Sequence, residues 1–426
     1  SQKFDFLRAQ GIKLYPQDGS GITSSEQIIV ASAAIEQSVP DIHAARLKGA
    51  TIKTRAELLA ELFNAAARSI AIGGTSGKST TTGMIAWIMK EAGQDPTVMN
   101  GAVMKNFVSP GVPFASAIAG HGDMFVSEVD ESDGSIAHYK PQIAVLNNIS
   151  LDHKSLEELR DLFGAFIAEA EIAVLNLDNE ESARIAAGTT REKLITFSLY
   201  DSSADLLGSN LVSHIDGIEF EVREHRTGRL AHVHLQVPGA HNVANALAAL
   251  GAARAAGIGL GEATRALSRF TGIKRRLETV GAANDITIID DFAHNPDKIA
   301  ATLETLHAFS GRLLIMFQPH GYGPLKLMKQ PFIDCFSESL SADDVLLMPE
   351  PVYYGGTTDR AVTSGDITSG IAALGRNAIA LPDRTACGAK LIELARPHDR
   401  ILIMGARDDT LSEFAYDLLQ RLGGRS

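Results

Sequence analysis

A chain of 426 residues, 45% of them hydrophobic, is long enough to fill more than one core. Its 39 basic against 51 acidic residues give a formal net charge of −12, which speaks against a nucleic-acid surface, and no apolar run approaches the ~18 residues of a membrane span. Two cysteines, Cys335 and Cys387, without a Cys-x-x-Cys pair or a Cys/His cluster, exclude a structural zinc site and fit buried free thiols in a reducing compartment. No signal peptide is visible after Ser1, so the expectation is a soluble, cytoplasmic α/β protein with neither nucleic acid nor membrane as partner. The sequence assigns no oligomeric state.

Residues 1–68 alternate short elements. Gly11 to Tyr15 and Ile28 to Ala31 read as strands, and Val39-Pro40-Asp41 opens a helix through Arg46. Thr51 to Lys53 and the helix Arg55 to Phe63 follow, a βαβ pattern that implies a parallel sheet. The second region, 69–271, carries an apolar strand at Ile70–Ile72, a helix from Lys78 to about Ala92, and strands at 97–99, 124–127 and 143–146. IEFEVREHRTGRLAHVHLQV then alternates apolar and polar residues around Thr227-Gly228, the mark of an antiparallel hairpin, before an Ala-rich helix from Asn242 to Ala256. The third region, 272–426, has strands at 286–289, 312–317, 344–348, 377–381 and 400–404, with helices at 296–309, 385–395 and 411–422. That is a second doubly wound α/β pattern.

The chemistry centres on Gly73-Gly74-Thr75-Ser76-Gly77-Lys78-Ser79-Thr80, placed between a strand and a helix. Glycines let backbone N–H groups turn toward an anion, and the helix start adds partial positive charge. Lys78 is placed to reach terminal phosphates and the Ser79 hydroxyl to hold Mg²⁺. The strict eight-residue form of this loop is broken, because Ile72 stands where its first Gly belongs. Glu128, Asp130, Glu131 and Asp133 crowd the end of the strand MFVS and suit a cation. His153 follows another strand in NNISLDH. Asn242 and Asn245 share a helix face, with paired amides that suit a purine edge or a helix cap. Arg275 and Arg276 lie between the second and third regions, where an arginine can clamp a phosphate; Asp290, Asp291 and His294 lie just beyond a strand.

In this order, GGTSGKSTTT, EVDESDGS, NNISLDH, PGAHNVANA, GIKRRL, DDFAHNP and FQPH resemble the Mur ligase family of ATP-dependent amide-bond ligases. VASAAIEQSVPDIHAA and TRAELLAELF look like its N-terminal domain, and the likeness spans residues ~11 to ~420. The resemblance implies three domains: a shortened Rossmann-like unit at 1–68 for a UDP-sugar acid, a central P-loop ATPase with an added β-hairpin at 69–271, and a Rossmann-like unit at 272–426 that brings the amine. It implies ATP and Mg²⁺ as cofactors, small-molecule acid and amine substrates, and a place in cell-wall peptidoglycan synthesis. By position it puts Gly74, Thr75, Ser76, Gly77, Lys78, Ser79 and Thr80 around the phosphates. Ser79, Glu128 and His153 go to Mg²⁺, Asn242 and Asn245 to adenine, Arg276 and Asp291 to the nucleotide, and His294 and His320 to the substrates. Lys78, His153, Arg276 and His294 form the implied catalytic set.

Two departures stand out. No strand and Gly-rich turn for a uridine diphosphate follows Ser1, and DGSG at 18–21 lacks a preceding strand, so either this unit is missing or the acid is not a UDP-sugar. Gly321 and Pro324 stand where the family's alanine-adding members carry arginines, leaving Lys326 or Lys329 as substitutes. The expected function is an ATP-dependent carboxylate–amine ligase working through an acyl phosphate. The alternatives are a divergent ligase on a non-UDP acid and an ATP-binding regulatory module without ligation.

Overall fold

Parallel pairing organises the chain, and local signals explain where its elements start. In the computed structural model, which describes residues 2–32, 35–150, 155–214, 217–351, 361–406 and 408–424, Ile28–Ala31 pairs in parallel with Thr51–Thr54. The helix Pro40–Lys48 is their crossover, with Pro40 setting its first turn. Thr54 caps the next helix, Arg55–Asn64, in a reciprocal box with Glu57. Gly11–Tyr15, expected as a strand, joins none of the three sheets; the Tyr15 ring packs on Gly21 instead. A short apolar alternation without a partner strand does not hold extended structure.

A ten-stranded sheet follows. Its spatial order is Leu230–Leu235, Gly217–Glu224, Leu206–His214, Leu194–Ser198, Ile172–Asn176, Ile143–Leu146, Arg68–Gly73, Met124–Glu128, Thr97–Met99 and Ala117–Ile118. Pairing is parallel from Leu206–His214 through Thr97–Met99, and antiparallel in the hairpin at one end and at Ala117–Ile118. The expected hairpin about Thr227-Gly228 is therefore present, extended by a third strand. The strands Ile172–Asn176 and Leu194–Ser198 and the helices Leu156–Ala168 and Glu180–Gly188 were not read from the sequence. The central strand, Arg68–Gly73, is flanked by Met124–Glu128 and Ile143–Leu146, so the C-terminal ends of all three open on one edge. Helices Lys78–Glu91 and Ala240–Ala255 cover one face with Met84, Ile85, Ile88, Ala246, Leu247 and Leu250 buried beneath them. Phe63, Phe163 and Phe166 fill the other.

The six-stranded sheet runs Glu278–Ala283, Ile286–Asp291, Arg400–Met404, Leu313–Phe317, Val345–Pro349 and Asn377–Leu381. All pairs are parallel except the first, which is antiparallel. Both faces are covered, as such sheets require: Leu303, Phe332 and Phe336 on one side, Leu391, Leu411 and Leu418 on the other. Among the described residues no helix is long and apolar enough to cross a membrane.

Candidate active site

The site starts from the strand Arg68–Gly73 and the helix Lys78–Glu91. The first helical bond of this type runs from Thr81 N–H to Gly77 O, so the amides of Lys78, Ser79 and Thr80 lie at the open start of the ladder. Asn148 straps the loop. Its carbonyl accepts from Thr75 N–H at 3.1 Å, its Oδ1 accepts from Ser76 N–H at 2.9 Å, and its Nδ2 donates to Ser76 O at 3.2 Å.

Beneath the loop runs a chain of amides. Asn147 Nδ2 donates to Thr81 Oγ1 at 2.9 Å and to Asn245 Oδ1 at 3.3 Å. Asn245 Nδ2 donates to Asn242 Oδ1 at 3.1 Å, and Asn242 Nδ2 to Pro238 O at 2.7 Å. Asn242 and Asn245 therefore do share a face, and they are bonded to one another and to the loop helix. Gly77, at φ 83°, sits on this chain: a Cβ there would lie 2.7 Å from Asn147 Nδ2 and closer still to Asn245 Oδ1. Neither Asn147 nor Asn148 stood among the site residues read from the sequence. The signal was two adjacent amides directly after the buried strand Ile143–Leu146.

The four carboxylates expected to act together divide. Glu128 Oε2 accepts from Ser79 Oγ at 2.7 Å, and Glu131 Oε2 accepts from Lys78 Nζ at 2.7 Å. Asp130 and Asp133 instead shape the turn, accepting from Ser132 N–H and Ser135 N–H at 2.9 Å each. Burial pushes the Glu128 carboxyl above its usual range, against the pull of the Ser79 hydroxyl and of Lys78 and Arg276. Gly101 lets this carboxylate fold in, since a Cβ there would collide with Glu128 Oε1. An Mg²⁺ ion fits this pair: both donors are hard oxygens, and a carboxylate crowded by protein gains most from a cation. His153, the third expected ligand, lies outside the described residues.

Across the cavity stands the strand Ile286–Asp291 with the turn that follows it. Arg276 lies between Arg275 and Leu277, both with positive φ, 58° and 46°, a costly backbone for side-chain-bearing residues. The strained turn is pinned from several sides. Arg275 reaches Asp290 Oδ1 at 3.4 Å, Gly405 O at 2.7 Å and Asp408 O at 2.9 Å, while Leu277 N–H donates to Asp291 Oδ1 at 3.0 Å. The Arg276 guanidinium lies 4.4 Å from the Phe292 ring centroid. Burial depresses its pKa and the Asp291 and Glu128 carboxylates oppose that shift. Asp291 Oδ2 accepts from Thr302 Oγ1 at 2.6 Å, which fixes the carboxylate to the helix Pro296–His307. His294 packs edge-on against His320, centroids 5.3 Å apart; burial lowers its pKa to about 3, so its ring is neutral at pH 7.

These groups enclose one cavity of about 330 Å³. Thr75, Ser76, Gly77, Lys78, Ser79, Thr80, Asn242, Asn245, Arg276, Asp291 and His294 all line it, as do Asn147 and Phe292. Gly74, Glu128 and His320 stand behind that lining: Gly74 O accepts from Lys78 at 2.7 Å, Glu128 holds Ser79, and His320 backs His294. Gly321 and Pro324 open the short helix Tyr322–Leu327, and Lys329 points to Asp366 Oδ1 at 3.7 Å.

Known proteins place the whole chain. The Mur ligase family, catalytic domain model matches residues 1–67, the Mur ligase middle domain model 72–253, and the Mur ligase, glutamate ligase domain model 275–407. A UDP-N-acetylmuramate–L-alanine ligase of Dinoroseobacter shibae is 34% identical over 98% of this chain and 89% of its own length. The crystal structure of a UDP-N-acetylmuramate–alanine ligase from Thermotoga maritima shares the fold at a TM-score of 0.80, with 22% identity over 100% of this chain and 92% of that one. That of a murein peptide ligase from Psychrobacter arcticus gives a TM-score of 0.70 at 25% identity, covering 99% and 91%. Three successive domain models and a relative 34% identical over 98% of this chain show that the chain belongs to the Mur ligase family.

Proposed function

We propose that this chain joins the carboxylate of a UDP-N-acetylmuramate-type acid to the amine of an amino acid or peptide, using ATP and Mg²⁺. The observation that carries the reading is the convergence of Lys78, Ser79 with Glu128, Arg276 and His294 on one cavity, from elements of two sheets. A carboxylate is a poor acyl donor to an amine; phosphorylated, it gains a leaving group. Its charge and that of the γ-phosphate repel, so cations must be fixed at both. Lys78 and the loop amides stabilise the transferred phosphoryl group from one side, and Arg276 from the other. Ser79 and Glu128 would hold Mg²⁺, with His153 as its further ligand, and the ion would supply charge neutralisation there. Asn242 and Asn245 set the purine end of the cavity and Asp291 holds the third region against the nucleotide. Neutral His294, with His320 behind it, faces the reacting end without adding positive charge that would repel an ammonium. We assign the acid to residues 1–68, the nucleotide to 69–271 and the amine to 272–426.

The test is phosphate release from ATP with UDP-N-acetylmuramate, with and without L-alanine or a short peptide. Release that requires acid and amine together supports ligation; nucleotide binding without turnover under any pair refutes it. Lys78→Ala should lower turnover by about a thousandfold or more; because it also strips Glu131 of its ammonium, a melting curve taken alongside separates loss of the reacting cation from loss of the fold.

A further inference from the structure

We propose that Glu131 is a positioning residue for Lys78: it holds the loop ammonium while the site lacks nucleotide, and it makes release of that ammonium to a phosphate depend on a divalent cation. The inference rests on the reading that a nucleotide triphosphate binds here. Lys78 Nζ lies 2.7 Å from both Gly74 O, in the loop itself, and Glu131 Oε2, on the turn beyond the strand Met124–Glu128. The pair is sheltered, with the side chains 20% and 8% exposed. An ammonium has three donors, and this arrangement commits two of them to the protein.

A γ-phosphate entering the cavity competes with Glu131 for the same ammonium. If Lys78 transfers, the Glu131 carboxylate is left buried and has lost its cation, and an unpaired buried charge costs far more than a pair contributes. Compensation has to come from a second positive charge close by. Glu131 is three residues beyond Glu128, and Glu128 with Ser79 forms the pair that suits Mg²⁺. A cation there restores the charge balance that Lys78 removes. The carboxylate therefore penalises metal-free nucleotide and leaves metal-bound nucleotide almost unaffected. Asp130 and Asp133, turned into the loop's own N–H groups, do not take this role.

The probe is the imido analogue of ATP, which resists hydrolysis, titrated calorimetrically in excess magnesium and again in EDTA. Glu131→Gln keeps the shape and removes the charge. It should bind the analogue about tenfold more tightly than the wild type in EDTA, and within about threefold of it in magnesium. Glu131→Asp, which retains the charge, should keep the wild-type dependence on magnesium. Glu131→Met serves the same test if the Gln variant does not fold. An equal shift in both conditions marks a merely structural residue and overturns the proposal, as does no shift in either. A wild type that binds the analogue in neither condition overturns the nucleotide reading itself, and this inference with it.

Discussion

Gly77→Ala isolates how the phosphate loop is supported. The residue has φ 83°, and an L side chain in that region costs about 1–2 kcal/mol. The new methyl would overlap Asn245 Oδ1 and sit 2.7 Å from Asn147 Nδ2. Both amides are buried, at 6% and 3% exposure, and Asn147 Nδ2 is bonded to Thr81 Oγ1 and to Asn245. Displacing them leaves at least one buried polar group unsatisfied, about 1–3 kcal/mol more. The sum, about 2–5 kcal/mol, falls on this conformation of the loop, so if binding requires it the affinity for the ATP analogue should drop by about thirtyfold or more, at 1.4 kcal/mol per tenfold. Calorimetry gives the affinity, and a double-mutant cycle separates strain from collision. In an Asn245→Ala background the nearest obstacle is gone and only the Asn147 contact at 2.7 Å remains, so adding Gly77→Ala should cost less than it does in the wild type. The coupling between the two changes should then be about 1–3 kcal/mol. Additive effects, or a Gly77→Ala protein that binds the analogue as the wild type does, would refute this account of the loop.

Two further outcomes follow from the opposite wall. His294 has a folded pKa near 3 against 6.5 for the free side chain, so between those values the unfolded chain takes up a proton that the folded one refuses. Stability therefore falls as pH drops below 6.5, and His294→Gln should gain on the wild type in melting temperature from pH 7.5 to pH 5; a constant difference would remove the shift as its cause. Arg275→Met strips a guanidinium that is 7% exposed from Asp290, which is fully buried, and should cost about 3–5 kcal/mol. Because the same guanidinium holds the turn that aims Arg276, the KM for ATP should rise as well, and Asp290→Leu should recover stability without recovering KM.

What the sequence made legible was local. Residues 73–80 follow one another along the chain, so glycines, Lys78 and Ser79 announce their loop without any knowledge of the sheet. The strands at 97–99, 143–146, 377–381 and 400–404 coincide with those observed, because each is a short apolar run between polar residues. The partners within the site were not legible. Ser79 meets Glu128 across 49 residues, Lys78 meets Glu131 across 53, and Thr81 meets Asn245 across 164. Those pairings depend on strand order, which puts Met124–Glu128 and Ile143–Leu146 on either side of Arg68–Gly73, and periodicity carries no information about order. The same limit explains why SEVDESDGS read as one cation site. Spacing in a turn cannot say which carboxylates point back along the sheet edge and which close onto their own N–H groups. Once the order is known, the division acquires a physical sense. The Ser79 hydroxyl and the Lys78 ammonium each meet a separate carboxylate, Glu128 at the end of the strand Met124–Glu128 and Glu131 on the turn just beyond it. On the proposed reading, the acid on the hydroxyl prepares a place for metal, and the acid on the ammonium sets the condition under which the lysine leaves.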